Sequence, residues 1–245
     1  MTAARAGARS RPARRTQSRR PRGSLSREEI VAAGLAIARE DDLQRLTMER
    51  LGRELGVTGM ALYRHFRDKQ ELIDGILDHF VREANVTGHG TDPRDWRLWI
   101  RRTYHAKYRA LANTPGVLPF VASRVGWRFG PAAMATLDET LAVLGDAGFS
   151  RREAAEVYTT ALALALGWAT LDSNGSGELE PDERVQERRR LLELRFAAES
   201  RTRRPNVVDS ARELASASLS AKLFDRGLER YLSSLKPQRE VSDDH

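Results

Sequence analysis

The sequence predicts an all-α protein made of two helical units. Three observations carry this. Capping boxes and N-terminal prolines recur at helix-length intervals, the residues between them are apolar at helical spacing, and no sustained apolar–polar alternation marks a strand. Ser26 with Glu29 forms a capping box, and Ile30, Val31, Ala33, Leu35, Ile37 and Ala38 give the apolar surface of a first helix to about Glu40, ended by Asp41 and Asp42. Thr47 caps a short second helix with Leu51 and Leu55 on one face, and Gly56 lets the backbone turn sharply. Thr58 caps a third helix through Phe66, and Asp68 with Glu71 is a capping box opening a fourth, to about Asn85.

Residues 86–92 have loop composition, and a domain boundary is placed there. Pro93 is expected to begin a long helix to about Ala112, Pro115 and Pro131 sit at first helical positions, and Ser150 with Glu153 caps a helix reaching Leu171. After the loop 172–180, Pro181 opens a charged helix to about Ser200. Val207 to Leu235 reads as the last long helix, with Leu228, Tyr231, Leu232 and Leu235 on one face. The chain thus divides into a basic, disordered arm (1–23), a first helical unit with its linking helix (24–85), a larger helical unit (86–236) and a tail (237–245).

Composition narrows the class further. With 40% hydrophobic and 31% charged residues, the 245-residue chain is that of a globular protein with a well-solvated surface. The longest nearly apolar stretch, Ala161 to Leu171, falls short of the ~18 residues a membrane span needs, so no membrane partner is expected. Cysteine is absent, which excludes disulfides and thiolate metal sites and fits a reducing cytoplasm. The net charge of +7 sits in the arm: Arg5, Arg9, Arg11, Arg14, Arg15, Arg19, Arg20 and Arg22 are accompanied by no acid, and the rest of the chain is close to neutral. Such an arm suits a polyanion, with a solubilising tail as the alternative.

The segment TMERLGRELGVTGMALYRHF, residues 47–66, has the dimensions of a helix-turn-helix. A second helix enters the major groove only if the first braces it, so the inward faces must be apolar, which Leu51, Leu55, Val57 and Leu62 satisfy. Thr58, Gly59, Met60, Tyr63, Arg64 and His65 then remain outside, a mixture suited to base edges and phosphates. Taken alone, the same pattern describes an ordinary helical hairpin. The wider stretch SREEIVAAGLAIAREDDLQRLTMERLGRELGVTGMALYRHFRDKQELIDGILD, however, resembles the N-terminal domain of the tetracycline-repressor (TetR) family. The LTM start of the second helix, the ELGV turn, the ALYxHF recognition helix and the KxEL opening of the fourth all carry the likeness. GDAGFSRREAA, LGWATLD and FDRGLERYLSSL are similar to that family's ligand-binding and dimerising domain.

The resemblance implies a bacterial, cytoplasmic homodimer that binds double-stranded DNA at a pseudo-palindromic operator and responds to an unidentified small molecule, most simply a repressor. It implies that Thr47, Tyr63, His65 and Lys69 touch phosphates while Thr58, Gly59, Met60 and Arg64 face bases. Arg64 suits a bidentate contact to guanine or a further phosphate contact. Glu49 stands where the family often has Arg and cannot bind phosphate. The helices 150–171 and 207–235, rich in Ala, Ser and Leu, become by the same likeness the dimeric four-helix bundle.

In the second unit, Trp96, Trp99 and Thr103 share one face of a helix, and Ile100, Tyr104, Tyr108 and Leu111 share another, as expected of a central helix. Trp99, Tyr104, Tyr108, Phe120, Trp127 and Trp168 are either core or the lining of an effector pocket. No histidine occurs between 112 and 130, where a ligand for metal-chelated tetracycline would be sought, and no metal or cofactor is expected. Asp172 to Glu183 fits the spacing of an EF-hand calcium loop, but an acidic linker is the preferred reading, since no second such loop is present. The five histidines form no HxxxH pair, and there is no Gly-x-Ser-x-Gly or phosphate-cradling loop, so an enzyme is not expected. An all-α enzyme and an effector-independent regulator are the alternative functions.

The arm has a measurable consequence. Each phosphate neutralised adds about 0.9 to the magnitude of the log-affinity versus log-salt slope. If three or four arginines engage, deleting residues 1–22 flattens that slope by roughly 3 and weakens binding to all sequences alike. An unchanged slope returns the arm to a solubilising tail.

Overall fold

The computed structural model describes residues 25–84, 90–124, 130–173, 182–218 and 221–237. The arm, most of the EF-hand-like loop and the end of the tail lie outside them. Within the described residues all regular structure is helical. Helix α1 (Arg27–Glu40) starts at the expected reciprocal box: Ser26 Oγ accepts from Glu29 N–H at 3.1 Å and Ser26 N–H donates to Glu29 Oε2 at 3.0 Å. A single 3-10 turn, Leu43–Arg45, leads into α2 (Met48–Glu54), which Thr47 caps through Arg50 N–H. The next helix is shorter than its sequence suggests. Helix α3 spans only Gly59–Leu62, after which His65 N–H and Phe66 N–H both donate to Leu62 O and tighten the chain into a turn.

Helix α4 (Lys69–Ala84) begins on half of the expected box. Asp68 accepts from Glu71 N–H at 2.7 Å, but the Glu71 carboxylate accepts from Arg67 N–H at 2.8 Å, one residue upstream of the cap. Leu72, Ile73 and Ile76 of α4 are buried together with Ile30, Val31 and Leu35 of α1 and Leu51, Leu62 and Phe66.

The second unit begins at α5 (Trp96–Ala112), three residues later than Pro93 would place it, because Asp95 supplies the cap by accepting from Leu98 N–H. A 3-10 turn at Pro115–Val117 runs into α6 (Leu118–Arg124), followed by α7 (Pro131–Asp146) and α8 (Arg151–Ser173). Ser150 and Glu153 form the expected box at the head of α8, with Ser150 N–H to Glu153 Oε2 at 2.8 Å. Helix α8 is long and apolar enough, by length and composition, to cross a membrane. Here its Ala154, Val157, Ala161, Ala165 and Ala169 are buried, and it packs on α5, α7 and α12 (Ala221–Ser234).

The expected single helix 207–235 is a set of shorter ones. Helices α9 (Asp182–Ala197), α10 (Pro205–Asp209) and α11 (Ala211–Ser218) pack mainly on one another, and the chain breaks between α10 and α11 at Ser210. Phe224, Leu228 and Leu232 of α12 are instead buried in the main core against α5 and α8.

The units touch at the end of α1 and along α4. Gly116 lies so close to the end of α1 that a Cβ there would stand 2.3 Å from Asp41 O and 2.4 Å from Ala38 O. Asp78 of α4 accepts from Ala132 N–H at 2.8 Å and so caps α7 with a carboxylate, the charge that a helix N-terminus favours.

Candidate nucleic-acid interface and effector site

Gly56, at φ +68°, makes the turn between α2 and α3. The two helices then cross almost backbone to backbone. A Cβ on Gly52 would lie 2.8 Å from Gly59 N, and one on Gly59 would lie 3.1 Å from Glu49 N and Met48 C. Leu51 and Leu62 are fully buried at this crossing, while Leu55 and Val57 pack on its rim. With the inner face so filled, α3 and its following turn present Thr58, Met60, Tyr63 and Arg64 to solvent, Met60 at 75% exposure. An exposed methionine and tyrosine side by side on a helix this small are poorly placed for stability alone. Thr58 begins α3 in extended conformation without a side-chain capping bond. Gly59, expected among the base-facing residues, directs the place of its missing side chain into the crossing.

The expected phosphate set frames this surface. Thr47 is exposed at the start of α2 and Lys69 is the first residue of α4, where its Nζ donates to Gln44 O at 2.7 Å. His65 is half-buried, and its carbonyl accepts from Arg27, which also lies 4.1 Å over the Phe66 ring and pairs with Glu71 at 3.1 Å. Hydrogen bonds from Arg67, then from Arg27, hold the Glu71 carboxyl down at about 2. Arg50 pairs with Asp41 at 2.6 Å and fixes α2 to the end of α1. Sequence reasoning missed Arg27, Gly52 and Arg50, each of which positions the interface from outside the recognition segment.

In the second unit Trp99, Tyr104 and Tyr108 are buried, as are Trp96, Ile100, Thr103 and Leu111, so α5 is central. Phe120 and Trp168 are partly buried against the same core, and Trp127 lies outside the described residues. Tyr108 stacks on Phe224 at 4.5 Å and donates to Asp172, the first residue of the calcium-like loop. Tyr104 donates to Tyr158 O at 3.2 Å, and burial pushes its phenol up. Lys107, which the sequence reading passed over, stands 4.4 Å from the Tyr104 ring and 5.6 Å from that of Tyr158. Desolvation pulls its ammonium down to about 8, against a smaller opposing pull from Glu139 of α7. An open groove of about 520 Å³ between α5 and α12 is lined by Arg101, Arg102, His105, Asp225, Arg226 and Glu229. Within it Arg101 pairs with Glu229 at 3.3 Å and His105 Nδ1 lies 2.7 Å from Asp225 Oδ1.

Residues 30–76 match the model of bacterial regulatory proteins of the tetR family, and residues 89–238 match the tetracyclin repressor-like C-terminal domain. The chain belongs to the TetR family. It is 27% identical over 223 residues to the class C tetracycline repressor of Escherichia coli, an alignment covering 90% of this chain and 94% of that repressor. With an HTH-type transcriptional repressor of Mycobacterium tuberculosis it shares 25% identity over 158 residues, 64% of this chain but only 60% of the relative's length. Among solved TetR-family structures, that of Streptomyces coelicolor ActR in complex with actinorhodin superposes with a TM-score of 0.70 at 23% identity, covering 86% of this chain and 96% of ActR. That likeness establishes the fold. Within it, the helix-turn-helix of this TetR-family chain depends on the Gly52–Gly59 approach.

Substituting Gly52→Ala tests the crossing. Elsewhere in a helix this change stabilises by up to about 1 kcal/mol. Here the new Cβ meets backbone that cannot rotate away, so the first unit loses roughly 1–3 kcal/mol. Thermal unfolding and gel shift on the same protein should give a lower melting temperature and weakened operator binding. A gain in stability would refute the close packing.

Proposed function

We propose that this protein is a homodimeric transcriptional regulator, in its simplest form a repressor and not an enzyme, that leaves a pseudo-palindromic operator when a small molecule enters its second unit. The observation that carries the reading is the outward set Thr58, Met60, Tyr63 and Arg64 on and around α3, whose Leu62 is fully buried against α2. Arg64 and Thr58 supply donors for base edges, Met60 supplies apolar contact to a thymine methyl, and Thr47, Tyr63, His65 and Lys69 meet the flanking phosphates. Gly59 contributes only its backbone outward.

Dimerisation is supported by apolar surface that one chain leaves uncovered. Leu171 at the end of α8 and Leu191, Leu194 and Leu214 of α9 and α11 are exposed. A second copy covering these would set two recognition segments about 34–36 Å apart, one turn of DNA. Coupling to an effector runs through Asp78. Helix α7 packs on both α8 and α4, so a ligand that moves α7 pulls the Asp78–Ala132 contact and tilts α4, on which the DNA-binding core is built. The ligand must bind the DNA-incompetent spacing more tightly, or the equilibrium does not shift.

Selection of bound sequences from random DNA tests the reading: a two-fold symmetric site should emerge, bound by a dimer in sedimentation. Once an effector is in hand, Asp78→Ala should keep operator binding within a few-fold while reducing the effector-induced loss of affinity, normally about 1–3 kcal/mol of coupling. A monomer at micromolar concentration, or no enriched sequence, would overturn it.

A further inference from the structure

Helix α5 carries two polar groups that the fold does not use. Thr103 is 1% exposed, and its Oγ1 has no hydrogen-bond partner among the described residues. A buried hydroxyl without a partner costs free energy that a valine of nearly the same shape would avoid. One turn further along, Lys107 makes neither a hydrogen bond nor an ion pair among the described residues. Its contacts are the faces of Tyr104 and Tyr158. Glu139, the acid that acts on it from α7, is exposed and forms no ion pair with it.

Lys107 is half-buried on α5, which packs on both α7 and α8, and burial among their side chains strips water from its ammonium. Residues three and four apart lie along one helix face, so Trp99, Thr103 and Lys107 line up as an apolar plate, a hydroxyl and a cation. A lysine held this way loses hydration and gains only ring faces in return, an arrangement that an incoming anion would complete.

Resting on the effector reading above, we propose that the effector is a flat, largely apolar molecule bearing one carboxylate or comparably acidic oxygen, which Lys107 receives while Thr103 donates to a neighbouring oxygen. The aromatic body lies toward Trp99. Tyr104 and Tyr158 hold the ammonium in place from behind, and a neutral analogue leaves the cation unanswered. Lys107 is therefore a specificity-determining residue, and Thr103 assists it.

The test uses the full-length protein and three probe pairs: naphthalene-2-carboxylate, anthracene-2-carboxylate and anthraquinone-2-carboxylate, each beside its primary amide. Binding is read by tryptophan fluorescence and by thermal shift. At least one acid should bind the unaltered protein about tenfold or more tightly than its amide, the scale of a hydrogen bond to a charged group. Lys107→Met should bring acid and amide within about twofold, and Thr103→Val should weaken the acid by a smaller factor. Without ligand, both variants should melt at or above the temperature of the unaltered protein, because each removes an unanswered polar group, and this separates lost binding from lost folding. Equal affinity for acid and amide, or a preference that survives in Lys107→Met, overturns the anionic effector and leaves the pocket reading standing. If no probe binds while operator DNA still does, the pocket at α5 is itself refuted, and this inference with it.

Discussion

Helix α4 has to satisfy two neighbours at once, and the arrangement of the rest follows from that. Its apolar residues Leu72, Ile73 and Ile76 are buried in a core shared with α1, while Asp78, on the same helix, holds the first turn of α7. A helix is stiff over sixteen residues, so a displacement imposed at Asp78 is felt by α1 and by everything α1 braces. The second contact, Gly116 against the end of α1, leaves almost no room for sliding at that point.

The recognition segment is short because the crossing does the work that length does elsewhere. Helix α3 has four residues and too few hydrogen bonds to hold itself together. Its conformation is imposed by α2 lying against it at backbone distance and by Arg27 and Phe66, which clamp the turn that follows. Stability is thus concentrated on the inner face, and the outer face leaves Met60 and Tyr63 exposed.

A different balance holds in the second unit. There α5 buries large aromatic rings whose polar ends are mostly answered, Tyr104 by a backbone carbonyl and Tyr108 by Asp172. Against that well-satisfied background the unused groups of Thr103 and Lys107 stand out, because a core that pairs its phenols with care has no structural reason to leave a hydroxyl and an ammonium unpaired.

The sequence by itself determined the helical class, the boxes at Ser26 and Ser150, the helix-turn-helix and the outward Thr58, Met60, Tyr63 and Arg64, though not Gly59 and His65, since these are fixed by neighbours within a few positions. Local signals also misled, in two places against a competing local hydrogen bond and in one against packing distant in the chain. Pro93 gave way to Asp95, α3 ended at Leu62, and the run from Val207 to Leu235 was divided because α12 is needed in the main core while α9, α10 and α11 pack on one another. Only the tertiary structure decided the roles of Gly52, Asp78, Gly116 and Lys107. Each takes its meaning from an atom far away in the chain or on another helix: a backbone nitrogen, a helix N-terminus, a carbonyl, a ring face. Residue spacing along one helix says which side chains share a face, but which partner that face meets is settled by packing alone.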